Sequence, residues 1–408
     1  MHAHAGRLPW ARLFKATTTL AGNGFVVGRG LSEAITDNLG RVNADPGLGA
    51  LLTRDGEPLA HGDHLKQPAL AESLAAVASR GPDALYGGPV GAGLVDHLRS
   101  LGSSLSVEDL ARHACDVAVP LATTWRGTQL WTAPPPSQGV VLLHILALLA
   151  ELGAVKEPLG SDADLLARVF AASTITREIR LADPQGSPVD VADWLDPDEL
   201  AITARQVRVG ARSAAEASPM SRRPDGDTVA VVVADTDGGF VSLIFSLFHS
   251  FGAGICDPAT GVVLHNRGAG FTLDADSPNC LAPSRRPAHS LMPLLLGGDA
   301  GVHAAHGTMG GYGQPQIHAQ LLLLLDAGEG PTDAVAASRW VVGRPDEGGP
   351  LQAYVERSVP AVAQDSLRRA GLPIRLLADL DSEVGHAQLV RRGDSGELLV
   401  ATDPRAEG

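Results

Sequence analysis

A mixed α/β fold of the α+β kind is predicted by three features of the chain. Helical apolar spacing dominates its opening, β-rich runs begin abruptly at Thr228, and a leucine-rich helical pattern follows those strands. Strands succeeded by helices imply packed layers. The 408 residues are 44% hydrophobic and 19% charged, enough apolar material for one large core or two moderate ones. The formal charge of −14 is spread along the chain and opposes attraction to nucleic acid or an anionic membrane, which points to a small-molecule partner. Cys115, Cys256 and Cys280 form no CxxC pair, so the sequence predicts neither a disulfide framework nor a zinc site. The opening MHAHAGRLPWARLF lacks the apolar stretch of a secretory signal, and VVLLHILALLAEL at 140–152 is too short to span a bilayer. A cytoplasmic protein is expected.

In chain order, LPWARLFKATTTLA and HLKQPALAESLAAVAS have helical spacing, interrupted by the glycine-rich stretch from Gly22 to Gly30. Ser106 stands three residues before Asp109 and resembles a capping box at a helix start. The runs VAVPLATTW and GTQLWTA read as paired strands, ended by Pro134, Pro135 and Pro136 before a buried helix that Ser137 is expected to cap. Lys156 to Met220 mixes helix and loop. The segment SPMSRRPDG, 218–226, concentrates serine, proline, arginine and glycine without periodicity and predicts an exposed connection, with Arg222 and Arg223 solvating it. It is the strongest boundary in the chain. Beyond it TVAVVVADTDGGFVSLIFSLF is a hairpin pattern around an Asp-Gly turn, strands are expected at GVVLHN and PLLLGGDAGVHAAHG, and QPQIHAQLLLLLDAG supplies a helix buried on most sides. There is no internal repeat.

The chemistry centres on Thr228. A threonine leading a strand is ordinary, but a cut between Asp227 and Thr228 would give it a free α-amine beside its hydroxyl. One residue would then supply both nucleophile and base. The same hydroxyl could make the cut by attacking the Asp227 carbonyl, provided the turn at Asp225 to Asp227 is strained. Attack on a carbonyl needs N–H donors for the oxyanion, and Gly310 with Gly311, in GTMGGYGQPQ just ahead of the leucine-rich helix, lets backbone approach a substrate closely. The pairs His61 with His64 and His303 with His306 have HxxH spacing without the glutamate of HExxH, so no metal site is predicted.

The stretches GRLPWARLFKATTTLAGNGFVV, LYGGPVGAGLVDHLRSLGSSLSVEDLARH, PPPSQG and nearly everything from Thr228 to ATDPRAEG resemble γ-glutamyltranspeptidases in order and spacing. The resemblance implies the four-layer αββα sandwich of N-terminal nucleophile hydrolases. It implies a precursor cut into a large-subunit region, 1–227, ending in a mobile linker at about 218–227, and a small-subunit region, 228–408, the two remaining intertwined as a heterodimer. It gives Thr228 as nucleophile, Gly310 and Gly311 as oxyanion donors, and Ser246 as the hydroxyl that hydrogen-bonds the nucleophile. No cofactor is implied.

The pattern departs from the family where a γ-glutamyl group would be read. The family's LLNN segment runs on to a Gln and an Asp, whereas VLHNRGAGF keeps Asn266 but places Arg267 and Gly270 at those positions. The paired serines become His289 and Ser290, and Val229 and Ala230 follow Thr228 instead of threonine and histidine. A carboxylate is lost, while Arg267 and a potentially cationic His289 are gained, so the substrate-binding set Asn266, Arg267, His289 and Ser290 predicts an acidic ligand without an ammonium group. Relative to the family the chain also reads as shortened ahead of GRLPW, without a first core strand and an arginine that clamps the substrate carboxylate. The expected activity is hydrolysis or acyl transfer on an amide of a small acidic metabolite. Two alternatives fit the same residues: hydrolysis of a C–C bond in an acidic keto substrate, as in a family branch of 4-alkyl-proline antibiotic pathways, and an uncut, inactive binding or scaffold protein.

Overall fold

A computed structural model describes residues 2–153, 155, 157–210, 227–345, 349–393 and 395–406. The connection expected at 218–226 lies outside the described residues, as does the turn ahead of Asp227. The chain divides into two compact units, one of residues up to 117 with 249–266 and one of 118–248 with 267–406. Each unit takes residues from both sides of the Asp227–Thr228 bond.

The first unit is built of short helices around Val27, Ile35, Val42, Leu48, Leu52 and Phe251. Pro68–Arg80 and Pro89–Ser100 both carry proline in their first turn, where its missing N–H costs no hydrogen bond. The predicted capping box is present, with Ser106 and Asp109 bonding each other's backbone. The segment 249–266 is tied in by Asp45, whose Oδ1 accepts from the Leu48 and Cys256 N–H groups at 2.7 and 3.0 Å. The strand expected at GVVLHN does not form. Its backbone is used in a local turn, with Ala253 N–H bonded to the Leu264 carbonyl and Asp257 N–H to that of Val262, leaving only an isolated bridge between Cys256 and Val263.

The second unit, with elements numbered from its own start, is a layered α/β structure. Its six-stranded sheet contains β1 (Leu121–Trp125), β2 (Thr128–Thr132), β5 (Leu294–Gly298), β6 (Gly301–Thr308), β10 (Ala387–Arg392) and β11 (Leu398–Thr402). Their order is β11-β10-β6-β5-β2-β1, antiparallel throughout. The hairpin of β3 (Asp227–Ala234) and β4 (Phe240–Phe248) turns through Asp235–Gly239, with Gly238 at φ +92°. Helices α1 (Gly139–Leu152), α2 (Ala163–Arg180), α3 (Pro197–Val209) and α4 (Gln314–Asp326) pack around one another, and β7 (Trp340–Gly343), β8 (Gln352–Glu356) and β9 (Ile374–Leu377) form a small sheet.

The two faces of β6 explain the layering. His306 points toward α4, its ring 6.3 Å from that of His318, whereas a side chain at Gly307 would meet Ala230, Val232 and Ile244 of the hairpin. Side chains alternate along a strand, so helix, sheet and second sheet stack in that order, the heart of the expected αββα arrangement. Alternation continues in β3, where Thr228 and Ala230 turn inward while Val229, Val231 and Val233 are exposed. Helix α1 is buried almost all round, as its apolar run predicts. Its N-cap is Gln138, not the expected Ser137. Ser137 Oγ, one residue further out, donates to the Leu291 carbonyl at 2.6 Å and accepts the Gly139 N–H of the first turn only at 3.4 Å.

The final strand leads into a buried charge clasp. Arg405 pairs with Glu356 and Asp403, and Arg339 with Asp403, all at most 8% exposed. Burial pushes the Asp403 carboxyl up, and Arg339 and Arg405 more than reverse it, holding it below its ordinary value.

Candidate active site

The hairpin sets the position of Thr228. Asp227 lies opposite Phe248 and Thr228 opposite Ser246, and the register shifts between Asp227 and Thr228, so a bulge falls on the bond expected to be cut. Thr228 Oγ1 donates to Ser246 Oγ at 2.9 Å. The same serine oxygen accepts the Phe248 N–H at 2.8 Å, which fixes the Ser246 rotamer. Phe248 has φ +84°, a left-handed conformation that a bulky residue adopts at a cost of about 1–3 kcal/mol. Backbone strain therefore sits directly across the strand pair from Asp227.

Gly310 and Gly311 occupy the turn between β6 and α4. Both are buried with positive φ, +141° and +50°, and a side chain on Gly310 would collide with Ile317, so glycine is required. Among the described residues neither N–H has a hydrogen-bond acceptor. Two adjacent buried N–H groups without acceptors can stabilise an oxyanion, and otherwise would be costly. The turn is anchored by Gln138, which is fully buried and donates Nε2 to the carbonyls of Gly311, at 2.8 Å, and Ser290, at 2.9 Å. Two carbonyl acceptors dictate which end of this amide is the NH2, so its Oε1 is the atom left without a partner.

Beside the turn four side chains stack in a column. Arg267 lies over the Phe248 ring at 4.3 Å, Phe248 meets Tyr312 edge-on at 6.2 Å between centroids, and Arg177 lies over Tyr312 at 3.7 Å. Arg267 also donates to Ser290 Oγ at 3.4 Å. Burial holds Arg267 below its ordinary pKa, and Tyr312 acts in the opposite sense. Phe248, Tyr312, Arg177 and Gln138 were not singled out in the sequence. Tyr312 and Gln138 stand inside the quoted GTMGGYGQPQ and PPPSQG segments, while Arg177 is one helical arginine among several and carries no local signal.

The remaining sequence candidates separate. His289 does not add a cation: although its surface is partly exposed, burial first, then Arg267 and Arg286, lower its pKa to about 4, so the imidazole is neutral near pH 7. Its backbone bridges to Ser137, with His289 N–H donating to the Pro136 carbonyl. Ser290 is 1% exposed and faces Arg267. Asn266 belongs to the first unit, where its Oδ1 accepts the His249 N–H at 3.1 Å and its Nδ2 meets the His249 ring at 2.8 Å. No group of three or more His, Cys, Asp or Glu able to hold a metal occurs among the described residues. No described helix is long and apolar enough to cross a membrane.

Comparison with known proteins bears on the family and the fold. A sequence profile for gamma-glutamyltranspeptidase matches residues 1–408. The chain is 33% identical to the oxamate amidohydrolase proenzyme of Klebsiella pneumoniae, over 98% of this chain and 75% of that protein. It is 31% identical to the glutathione hydrolase-like YwrD proenzyme of Bacillus subtilis, over 99% of this chain and 76% of the relative. Among solved structures, a cephalosporin acylase from Bacillus halodurans superposes with a TM-score of 0.86 at 25% identity, covering 100% of this chain and 75% of the acylase.

Proposed function

Because the chain belongs to the gamma-glutamyltranspeptidase family, whose relatives here are named as amidohydrolases, acylases and glutathione hydrolases, we propose that it is a proenzyme that becomes an amidohydrolase for a small carboxylic acid amide by cutting itself at Asp227–Thr228. The observation that carries this reading is the Thr228 hydroxyl, hydrogen-bonded to Ser246 at 2.9 Å beside a register break and a strained Phe248. In maturation the hydroxyl attacks the Asp227 carbonyl carbon, the C–N bond breaks, and the amide nitrogen leaves as the new α-amine of Thr228. Water then opens the ester, returning the Thr228 hydroxyl and leaving a carboxylate on Asp227. The fragments 1–227 and 228–408 stay together through the shared sheets.

In turnover the α-amine takes the Thr228 hydroxyl proton as Oγ1 attacks the substrate amide. Gly310 and Gly311 N–H groups hold the oxyanion. Collapse breaks the substrate C–N bond, the leaving amine departs with the proton from the α-ammonium, and water hydrolyses the acyl ester by the same route. Arg267 gives the site a cation where the sequence lacks the family's acidic reader of an ammonium, which favours an acidic substrate over a γ-glutamyl amino acid. Oxamate, from the relative's name, is the first compound to assay.

Two measurements test the reading. Intact mass of purified protein should show two fragments, 1–227 and 228–408, and Thr228→Ala should remain one chain with no ammonium release from oxamate. A wild-type protein that stays whole and inert after long incubation sinks the proposal.

A further inference from the structure

The geometry points to Arg177 as the specificity-determining cation that receives the carboxylate of the substrate. This deepens the amidohydrolase reading and rests on it.

Arg177 lies in the last turn of α2, flanked by charged neighbours that are all engaged. Glu178 is held by Arg344 through two bonds of 2.9 Å, and Arg180 pairs with Glu199 and the Asp193 carbonyl. Among the described residues Arg177 alone of these has neither a carboxylate nor a carbonyl acceptor for its guanidinium. Its guanidinium lies over the Tyr312 ring, 3.7 Å from the centroid. Held by a ring and not by a carboxylate, it keeps its charge and its donors for an anion from outside.

That contact is informative because of how a guanidinium is built. Stacking uses its flat face, whereas all five N–H bonds lie in the plane and stay directed outward. The edge is therefore open to a carboxylate in the two-bond geometry that arginine favours. Tyr312 directly follows Gly311, whose carbonyl is pinned by Gln138, so the fork is positioned relative to the oxyanion turn by a rigid ring and not by a flexible chain. With Tyr312 next in sequence to Gly311, the substrate class that suits the arrangement is a short amide whose carboxylate lies near the scissile carbonyl and which bears no ammonium. Tyr312 is thus a shelf and Arg177 the group that selects.

The test compares oxamate with neutral oxamide in wild type, Arg177→Met and Arg177→Lys, and measures binding of oxalate, an unreactive dianion, by calorimetry. Arg177→Met should raise KM for oxamate more than it lowers kcat, reduce the oxamate-to-oxamide ratio of kcat/KM by roughly 30-fold, and weaken oxalate by at least about 10-fold. Lysine should restore part of the ratio, since charge survives but the stacked fork does not. Self-cleavage of each variant reports that it has folded, and lysine stands in should the methionine variant fail to do so. A cleaved variant that keeps the wild-type ratio and oxalate affinity overturns the role of Arg177 and leaves the amidohydrolase reading intact. Failure of the wild type to cut itself or release ammonium defeats that earlier reading, and oxalate binding still judges Arg177; no oxalate binding by wild type defeats this inference as well.

Discussion

The charge clasp near the C-terminus and the wall beside Thr228 are both rich in arginine, yet they are opposite in how their hydrogen-bonding capacity is filled. In the clasp each of the four carboxylate oxygens of Glu356 and Asp403 accepts two donors, drawn from Arg339, Arg405 and backbone N–H groups. At the wall the Gly310 and Gly311 N–H groups, Gln138 Oε1 and the Arg177 fork have no protein partner among the described residues. A saturated buried network resists change because every member depends on the others. Groups left without partners cost stability, and persist where a ligand or reaction completes them.

Substituting one arginine in each region is the widest test of that contrast. Arg405→Met strands Glu356 in the interior and should lower unfolding free energy by about 3–5 kcal/mol in urea titration. Arg177→Met removes a cation–ring contact and strands no carboxylate, and should cost about 1 kcal/mol or less. Equal losses would erase the distinction between the two regions.

Acid probes a third kind of buried group, the neutral histidine. Burial lowers His144 to about 4, with Arg180 adding to it, and lowers His306 to about 3, with Arg391 and His303 adding. These rings are neutral when folded but take up protons when unfolded below about pH 6.5, so the unfolded state binds more protons and stability rises with pH. The loss should begin as pH falls through 6.5 and extend to about 4 for His144 and to about 3 for His306, amounting in full to roughly 3 kcal/mol for the first ring and about 5 kcal/mol for the second. Urea midpoints at pH 7, 5 and 4 measure it. His144→Gln should flatten the slope, and a stability independent of pH over that range would contradict the burial argument.

The smallest effect belongs to Gln138. Gln138→Ala removes the anchor of the Gly311 carbonyl, and a slightly misplaced oxyanion turn should lower kcat by about 10- to 100-fold while KM for oxamate changes little. A larger effect on KM than on kcat would assign Gln138 to substrate binding instead.

What the sequence disclosed follows the range over which each signal acts. The hairpin from Thr228, the strands at PLLLGGDAGVHAAHG and the leucine-rich helix were legible because periodicity is written into neighbouring residues. The capping box at Ser106 was legible for the same reason. GVVLHN misled because its apolar run serves a turn held by Asp257 and Thr260, which no local pattern announces. The chemistry of His289 alone suggests a possible cation, whereas its neutrality depends on burial and on Arg267 and Arg286 nearby. Arg177 meets Tyr312 across 135 positions of sequence, a pairing created only by packing α2 beside the glycine turn.

The hairpin's pairing has a consequence for how this gene can vary. Thr228 faces inward only while β3 stays aligned with β4 from Ala234 opposite Phe240 back to Thr228 opposite Ser246. A shift of one residue exchanges the faces of the strand and brings Val229, now 44% exposed, to the inside. Deleting a single residue from the Asp235–Gly239 turn, about 20 Å from the hydroxyl along the strand, can therefore silence the protein while leaving every catalytic residue in the sequence.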